Sequence, residues 1–329
     1  MKRPLVVKLG SSLVVDEGGR PRRAFLRKRA AELAAIVEDG TPVCVVSSGA
    51  IALGLAGAKR PASLPRLQAA SALGQAALQR AWQDALEPHG IAAAQILLTS
   101  GEIGDRRAYV NVRAAFNALF QLGAVPVVNE NDATATDEIS FGDNDALAAQ
   151  VAVLLRARLL VLLTSVPGVL HEGVLITDGA QARTAVFGAR SALGRGGMES
   201  KVAAAELAAG AGIPTVIAGD TALAELLAQG GTRFAAAEGA PAFKLWLRHG
   251  KRIAGRIHVD AGARRAVVQS GASLLAVGIT SVEGDFRAGD GVELVGPDGE
   301  AFARGLAAAD ASDLAPGVEA VHRDRLVLL

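Results

Sequence analysis

Cysteine is nearly absent from this sequence. The single cysteine, Cys44, lies in an apolar run from Pro42 to Val46, where we expect it to be buried. One cysteine excludes a framework of disulfide bonds and a cysteine-rich metal site. Aromatic residues are also scarce, at 4%, and neither sign of charge predominates, since the formal net charge is +1. A chain so close to neutral does not require a polyelectrolyte partner such as a nucleic acid.

Long hydrophobic runs are lacking as well. No apolar run in the sequence reaches the length that spans a membrane. At the amino terminus, Lys2 and Arg3 lead into only a short apolar run, which is not typical of a secretory signal peptide. We therefore expect a soluble, cytoplasmic protein with no membrane partner.

What the sequence does have is length and apolar content, with 329 residues of which 50% are hydrophobic. This length permits two domains, and the composition permits a large core. As far as residue 234, apolar strands alternate with helical segments. The alternation predicts an α/β fold with a mostly parallel sheet and helices on both faces. A short hairpin is expected within residues 169–176, around Glu172 and Gly173.

The pattern changes after an Ala/Gly-rich segment, Ala235 to Ala242. Beyond this segment, short strands alternate with glycine turns, which predicts a small all-β, barrel-like domain. Its strands are expected at Gly255–Val259, Leu274–Val277, Val292–Val295 and Glu319–Leu328. We accordingly expect one domain at residues 1–239 and a second at residues 240–329.

The most informative stretch runs from Val125 to Asp145. An apolar strand ends there in the polar sequence Asn129 to Asp132, and a second polar cluster, Gly142 to Asp145, precedes an apolar helix. Ligands of open α/β sheets bind beyond the carboxyl ends of the strands, so the two clusters are placed to hold a small polar ligand. The alternative is that the first cluster is only a turn and the second only caps a helix.

Other strand ends carry groups that suit an anion. Lys8 lies at the end of the first strand beside a Gly/Ser turn, and Ser48 follows the second strand. Gly196 and Gly197 precede a helix whose first turn contains Lys201. Phosphoryl transfer needs such cations and backbone donors. The alternatives are a lysine that reaches solvent and ordinary helix caps. P-loop and dinucleotide-binding motifs are absent from the sequence, so neither chemistry is supported.

Five motifs occur in one order along the chain: V-K-L-G-S-S, V-S-S-G-A-I, V-N-E-N-D, F-G-D-N-D and R-G-G-M-x-x-K. Together they resemble the amino acid kinase family. The tail motifs G-R-I-H-V-D-A-G-A, S-L-L-A-V-G-I and G-D-F-R-A-G-D resemble the PUA domain that ends many bacterial members. The resemblance covers nearly the whole chain. It implies a three-layer αβα sandwich that binds ATP and its substrate at the carboxyl ends of the strands, followed by a PUA-like barrel.

Within the family, the chain is most similar to members that phosphorylate the γ-carboxylate of L-glutamate, using ATP and Mg²⁺, to make γ-glutamyl phosphate for proline synthesis. The resemblance implies that Lys8 and Lys201 are catalytic and that Asp145 lies between them and orients them. It implies that four residues bind the substrate: Ser48, Gly49, Asp132 and Asn144. It implies a nucleotide site formed by Lys8, Gly10, Thr164, Ser165, Arg195, Gly196, Gly197, Met198, Glu199, Ser200 and Lys201. No protein ligand is assigned to Mg²⁺.

The resemblance also implies partners: proline as a feedback inhibitor, γ-glutamyl phosphate reductase as a functional partner, and other copies of the chain in a homo-oligomer. Two alternatives stay open. One is another amino acid kinase, acting on acetylglutamate or aspartate. The other is an RNA-binding or regulatory protein that acts through the PUA-like tail. The tail contains a local basic patch, for which the alternative interpretation is an ordinary solvated surface: Arg248, Lys251, Arg252, Arg256, Arg264 and Arg265.

The sequence departs from the family pattern on the nucleotide side. Ser165 stands where members usually have Asp, and Arg195 stands where a Thr is common. The segment Gly168 to Asp178 is shorter than the usual hairpin and lacks its Asp-Pro-Arg. These departures bear on base preference and nucleotide affinity, whereas the motifs on the glutamate side are intact.

Overall fold

The structure, a computed structural model, describes residues 2–61, 63–99, 102–103, 106–134, 143–187, 197–237, 247 and 253–329. The chain divides into two compact units, Met1–Gly239 and Ala240–Leu329. No helix of the described residues is long and apolar enough to cross a membrane.

The first unit is built on a seven-stranded sheet with the order β3-β4-β2-β1-β5-β8-β9. Every neighbouring pair is parallel except β8 and β9. Its strands are β1 (Leu5–Leu9), β2 (Val43–Ser47), β3 (Ala93–Leu98), β4 (Val125–Glu130), β5 (Leu159–Leu163), β8 (Thr215–Ala218) and β9 (Thr232–Phe234). Strands β1, β2 and β5 are buried along their whole length, as expected of a parallel sheet covered on both faces.

Helices cover both faces of this sheet. The described helices of the unit are α1 (Ser11–Val14), α2 (Arg23–Glu38), α3 (Ala50–Leu55), α4 (Leu64–Leu86), α5 (Arg106–Gln121), α6 (Asp143–Leu154), α7 (Gly179–Phe187), α8 (Met198–Gly210) and α9 (Leu223–Ala228), with a 3₁₀ turn at Glu87–His89. Apolar residues of α2, α4 and α9 share one core with the sheet. Helices α5, α6 and α8 contact the strands outside that core group. The expected αβα sandwich is therefore confirmed.

The central strand β1 places its side chains alternately on the two faces. Leu5, Val7 and Leu9 belong to the core shared with α2 and α4. Lys8, at a position of opposite parity, faces the other layer. Its strand is paired in register with β2 and β5, so that Lys8 lies beside Val46 and Leu162 near the carboxyl edge of the sheet.

Helices α3 and α4 pack unusually closely. A Cβ built on Gly54 would lie 1.8 Å from the carbonyl oxygen of Ala70, and one built on Gly74 would lie 1.8 Å from that of Ala50. Only glycine permits this approach, because any side chain would overlap the facing backbone. The start of α3, which follows Ser48 and Gly49, is thus fixed against α4.

A two-stranded hairpin formed by β6 (Val169–His171) and β7 (Val174–Ile176) stands apart from the main sheet. Glu172 and Gly173 connect the strands with φ values of 50° and 80°. Positive φ at both central residues is typical of a tight hairpin turn. The expected hairpin is confirmed.

The second unit holds a six-stranded sheet with the order β11-β15-β14-β13-β10-β12. Its strands are β10 (Ile253–Val259), β11 (Leu274–Leu275), β12 (Ile279–Glu283), β13 (Gly291–Val295), β14 (Ala301–Ala307) and β15 (Glu319–Leu328), with 3₁₀ turns at Ala276–Gly278 and Ala311–Asp313. All pairs are antiparallel except β10 with β13. The expected small all-β domain is confirmed by this sheet.

The described residues of the same unit include a helix that the sequence analysis did not predict, α10 (Ala261–Ser270). The carboxylate of Asp260 accepts a hydrogen bond from the backbone N–H of Ala263 at 2.7 Å and caps the helix. Gly271 ends it in the left-handed conformation. Val267 packs into the β core with Phe286. In residues 253–329 the tail is therefore a β-sheet with α10 packed against it.

Candidate active site

Three charged residues meet beyond the carboxyl edge of the sheet. Asp145, in the first turn of α6, forms an ion pair with Lys8 of β1 at 2.5 Å through Oδ1. Through Oδ2 it accepts from the ammonium of Lys201, in the first turn of α8, at 3.1 Å. One carboxylate thus bridges two lysines that are far apart in sequence. The expected position of Asp145 between them is the one in the structure.

The charges of Lys8 and Asp145 are buried, and a buried charge is costly in free energy unless it is paired. Lys8 is 3% exposed and Asp145 is 1% exposed. Burial lowers the pKa of the Lys8 ammonium below its ordinary value; the Asp145 carboxylate opposes that shift, and the neighbouring Lys201 ammonium adds to it. The carboxylate therefore keeps two like charges close together in a site with little water.

A cavity of about 340 Å³ adjoins Lys8. Its lining includes all four expected substrate residues: Ser48, Gly49, Asp132 and Asn144. They come from the carboxyl ends of β2 and β4 and from the start of α6. Parallel strands bring these ends to one edge, which is why distant motifs line one space.

Backbone geometry fixes the Ser48 side of the cavity. The N–H of Ser48 donates to the carbonyl of Leu9 at 3.0 Å, which joins the ends of β1 and β2. Gly49 has φ of 120° and a Cβ there would lie 3.0 Å from Val15, so glycine is required by both conformation and space. Behind it, the indole N–H of Trp82 in α4 donates to the hydroxyl of Ser47 at 2.9 Å.

The polar residues on the opposite side of the cavity are held by partners. The side-chain amide of Asn144 donates to the Asn129 amide oxygen at 3.0 Å. The hydroxyl of Ser71 in α4 donates to Oδ2 of Asp132 at 2.5 Å. Burial raises the pKa of the Asp132 carboxyl, while the Ser71 hydroxyl and the Arg60 guanidinium oppose that shift.

The expected nucleotide residues that the structure describes lie at the ends of β1 and β5 and at the start of α8. Thr164 and Ser165 directly follow β5, and the Thr164 N–H donates to the Ala218 carbonyl at 2.8 Å, beside the end of β8. Gly197 precedes α8, whose first turn holds Met198, Glu199, Ser200 and Lys201. A Cβ on Gly10 would lie 3.9 Å from the Lys8 ammonium. Arg195 and Gly196 fall outside the described residues, as do Phe141 and Gly142 of the central motif.

Residues 3–219 match the model of the amino acid kinase family. The chain belongs to the amino acid kinase family. Residues 255–320 match the PUA domain.

Relatives of this amino acid kinase extend over nearly its whole length. A glutamate 5-kinase of Sphingopyxis alaskensis is 45% identical over 359 residues, covering 99% of this chain and 97% of the relative. A glutamate 5-kinase of Novosphingobium aromaticivorans is 41% identical over 362 residues, covering 99% and 96%. Among solved structures, carbamate kinase from Giardia lamblia bound to AMP-PNP is 17% identical, with a TM-score of 0.49, and the match covers 70% of this chain and 97% of that one.

The structure of this amino acid kinase adds site residues that sequence reasoning left without a role. Asn129 lies in the N-E-N-D motif. Its position at the end of a strand could have indicated that it belongs to the site. Ser71 gave no signal, because nothing in the sequence connects a residue of α4 with the end of β4. Arg60 lines the cavity and is also a cation near Asp132.

The structure describes three residues of the basic patch of the tail: Arg256, Arg264 and Arg265. Arg256 pairs with Glu293 at 3.3 Å, and Arg264 pairs with Asp298 at 2.7 Å. Arg248, Lys251 and Arg252 lie outside the described residues. Two cations of the patch are thus engaged with carboxylates, which favours an ordinary surface over a nucleic-acid footprint.

Proposed function

We propose that this protein transfers the γ-phosphoryl group of ATP to the γ-carboxylate of L-glutamate. The product, γ-glutamyl phosphate, begins proline synthesis from glutamate. The observation that carries the proposal is the carboxylate of Asp145 bridging Lys8 and Lys201 beside a cavity lined by Ser48, Asp132 and Asn144. Relatives named glutamate 5-kinase, similar over the full length, support the same substrate.

The chemistry fits a site without a general base. An oxygen of the γ-carboxylate forms a bond to the γ-phosphorus, the bond from that phosphorus to the bridging oxygen breaks, and ADP leaves. Because the attacking group is already an anion, no proton has to be removed from it. Catalysis then consists of positioning and of stabilising negative charge on the transferring group.

The lysines are proposed to supply that stabilisation. Lys8 and Lys201 contact the phosphate oxygens, and Asp145 aligns both ammonium groups. The backbone N–H groups at Gly10 and Gly49 add donors near the reacting oxygens. Preorganised charge of this kind acts strongly in a site from which water is largely excluded.

The cavity residues are proposed to recognise glutamate. Asp132 is an anion suited to the α-ammonium group, while the Ser48 hydroxyl and the Asn144 amide suit its carboxylates. Asn129, by holding Asn144, fixes the direction of that amide. With these contacts, the site would distinguish glutamate from aspartate by the length of the side chain. It would distinguish glutamate from acetylglutamate by the free ammonium group.

The nucleotide is proposed to lie between the end of β5 and the start of α8. In this proposal Thr164, Ser165 and residues 197–201 contact the nucleotide, and Arg195 and Gly196, which lie outside the described residues, contribute to the same site. The described residues contain no group of three His, Cys, Asp or Glu side chains that could hold a metal ion. Mg²⁺ is proposed to arrive on the phosphates of ATP, since it commonly keeps its waters and binds through substrate phosphates.

An ADP-release assay with L-glutamate, L-aspartate and N-acetyl-L-glutamate tests the proposal. We expect ADP release with glutamate alone, accompanied by a hydroxamate when hydroxylamine traps the acyl phosphate. Preference for aspartate or acetylglutamate would assign the chain to another activity of the family. An absence of ADP release with all three, together with RNA retained on filters at both low and high salt, would favour the RNA-binding alternative.

Regulation and partners are proposed on the same basis. Proline, the end product, is expected to compete at the glutamate side and to raise the KM for glutamate; unchanged kinetics at millimolar proline would contradict this. Since γ-glutamyl phosphate is labile, a reductase that consumes it is the natural functional partner. A homo-oligomer and a cytoplasmic location, where ATP and glutamate are abundant, complete the proposal.

A further inference from the structure

We propose that Ser71 of α4 is a positioning residue for Asp132, and that through this carboxylate it determines how tightly the cavity holds glutamate. The inference rests on the proposed function and deepens it. Ser71 does not line the cavity itself, so its effect on the ligand passes through Asp132.

The contact between the two residues is short and buried. Ser71 is 2% exposed and Asp132 is 7% exposed. The Ser71 hydroxyl donates to Oδ2 of Asp132 at 2.5 Å. A hydroxyl that donates to an ionised carboxylate forms a charge-assisted hydrogen bond, which is stronger than one between neutral groups. With Oδ2 held in this way, Oδ1 is the oxygen proposed to meet the ammonium group of a ligand.

Helix α4 holds Ser71 in a fixed position. One and two turns further along the same face, Gln75 donates to the Glu130 carbonyl at 3.4 Å and Gln79 donates to the Ala93 carbonyl at 2.6 Å. The close contact at Gly74 holds the helix against α3. Asp132, in contrast, lies in a turn beyond the end of β4. The hydrogen bond from Ser71 therefore connects a turn residue to a rigid helix.

The charge around Asp132 gives Ser71 a second effect. Burial disfavours the ionised carboxylate and raises its pKa, whereas the Ser71 hydroxyl and the Arg60 guanidinium favour ionisation. The other charged groups that line the cavity are Lys8, Asp16, Glu17 and Glu130. Only the ionised form attracts an ammonium group. Removing the Ser71 donor should therefore raise the pKa of Asp132 further and weaken glutamate binding at mildly acidic pH.

Ser71→Ala is the direct test in the full-length protein. Alanine is the best helix former, so α4 is expected to remain folded. We expect kcat/KM for glutamate to fall roughly tenfold or more, the scale for losing a hydrogen bond to a charged group. The loss should appear mainly in the KM for glutamate, with the KM for ATP within about twofold of the original, because the nucleotide side is unchanged.

The pH profile separates positioning from simple structural support. In a plot of kcat/KM for glutamate against pH, the acid limb of Ser71→Ala should move to higher pH by roughly half a unit or more. Glutamate's own ionisation is the same for both proteins and cancels in the comparison. Ser71→Cys replaces the hydroxyl with a somewhat larger thiol that is a weaker donor, so its limb should lie between those of the wild type and Ser71→Ala.

Two controls complete the experiment. Gln79→Leu removes a hydrogen bond from the same helix to a strand end away from the cavity, and its acid limb should coincide with that of the wild type. In an Asp132→Ala background, Ser71→Ala should cause little further loss, since its acceptor is already gone. An unmoved acid limb in Ser71→Ala, or equal limbs for Ser71→Ala and Gln79→Leu, would overturn the inference. A wild-type protein without glutamate-dependent ADP release would instead overturn the proposed function.

Discussion

At the scale of single residues, the site depends on one shared carboxylate. The two oxygens of Asp145 are divided between the ammonium groups of Lys8 and Lys201. If either lysine lost this partner, its charge would be left in a buried place without compensation. A residue that serves two partners at once should give strongly non-additive effects when it and a partner are changed together.

The first prediction uses that non-additivity. Lys201→Ala alone should lower kcat by roughly a hundredfold or more, the scale for losing one preorganised charge at a transition state. Asp145→Asn keeps the shape but removes the charge, so Lys201 loses its alignment. In the Asp145→Asn background, Lys201→Ala should therefore cost much less. A double-mutant cycle on kcat measures this. If the logarithms of the two losses in kcat simply add, Asp145 does not orient Lys201 and acts only as a helix cap.

The second prediction concerns selectivity between the two substrates. Asp132→Ala should raise the KM for glutamate by roughly tenfold or more, because it removes the charged partner of the ammonium group. The KM for ATP should change far less, since Asp132 is not among the expected nucleotide residues. Steady-state kinetics with each substrate varied in turn give both values. An equal rise in both would indicate a general defect in folding or closure.

At the scale of elements, helix α4 supports the side of the cavity where glutamate is proposed to bind. It contacts α3 through glycines and carries Ser71 and Trp82, which reach the ends of β4 and β2. A helix that touches two strand ends can transmit a small displacement to both. The packing of α4 should therefore matter to substrate binding as well as to stability.

Gly74→Ala tests this role. Its methyl group would overlap the Ala50 carbonyl, so the helices must move apart, at a cost of about 2 kcal/mol in unfolding free energy. We expect the midpoint of thermal unfolding to fall by roughly 4 to 8 °C, and the KM for glutamate to rise, because Ala50 follows Gly49. Arg80→Ala, at an exposed position of the same helix, is the control and should change neither. Unaltered stability in Gly74→Ala would show that the contact is easily relaxed.

Apolar runs and hydrophobic periodicity in the sequence predicted most strands and helices of the first unit. A buried strand can be recognised from its own apolar run, without knowledge of the strands that pair with it. The missed helix α10 had local signals, a capping Asp260 and a terminating Gly271, but its surroundings were typical of strands and turns. The antiparallel strand β9 and the Ser71–Asp132 hydrogen bond had no local signal. Both depend on which distant segments the sheet brings together, and a single sequence does not contain that pairing.

At the scale of the whole molecule, every described residue of the site belongs to the unit Met1–Gly239. The expected domain boundary at residues 239 and 240 lies outside the described residues and stays a prediction. A chain that ends near Ala240 should fold and keep glutamate-dependent ADP release, since each unit has its own core. Circular dichroism and the ADP assay check this. A truncated protein that is folded but inactive would contradict the modular organisation.

The order of strands also governs when the site can exist during synthesis. Strand β1 pairs with β2 on one side and with β5, residues Leu159–Leu163, on the other. Lys8 is translated well before Asp145 and β5, and at roughly 5 to 20 residues per second the delay is on the order of 7 to 30 s. Through that interval β1 has an unpaired edge. We therefore expect a nascent chain stalled before residue 159 to bind chaperones.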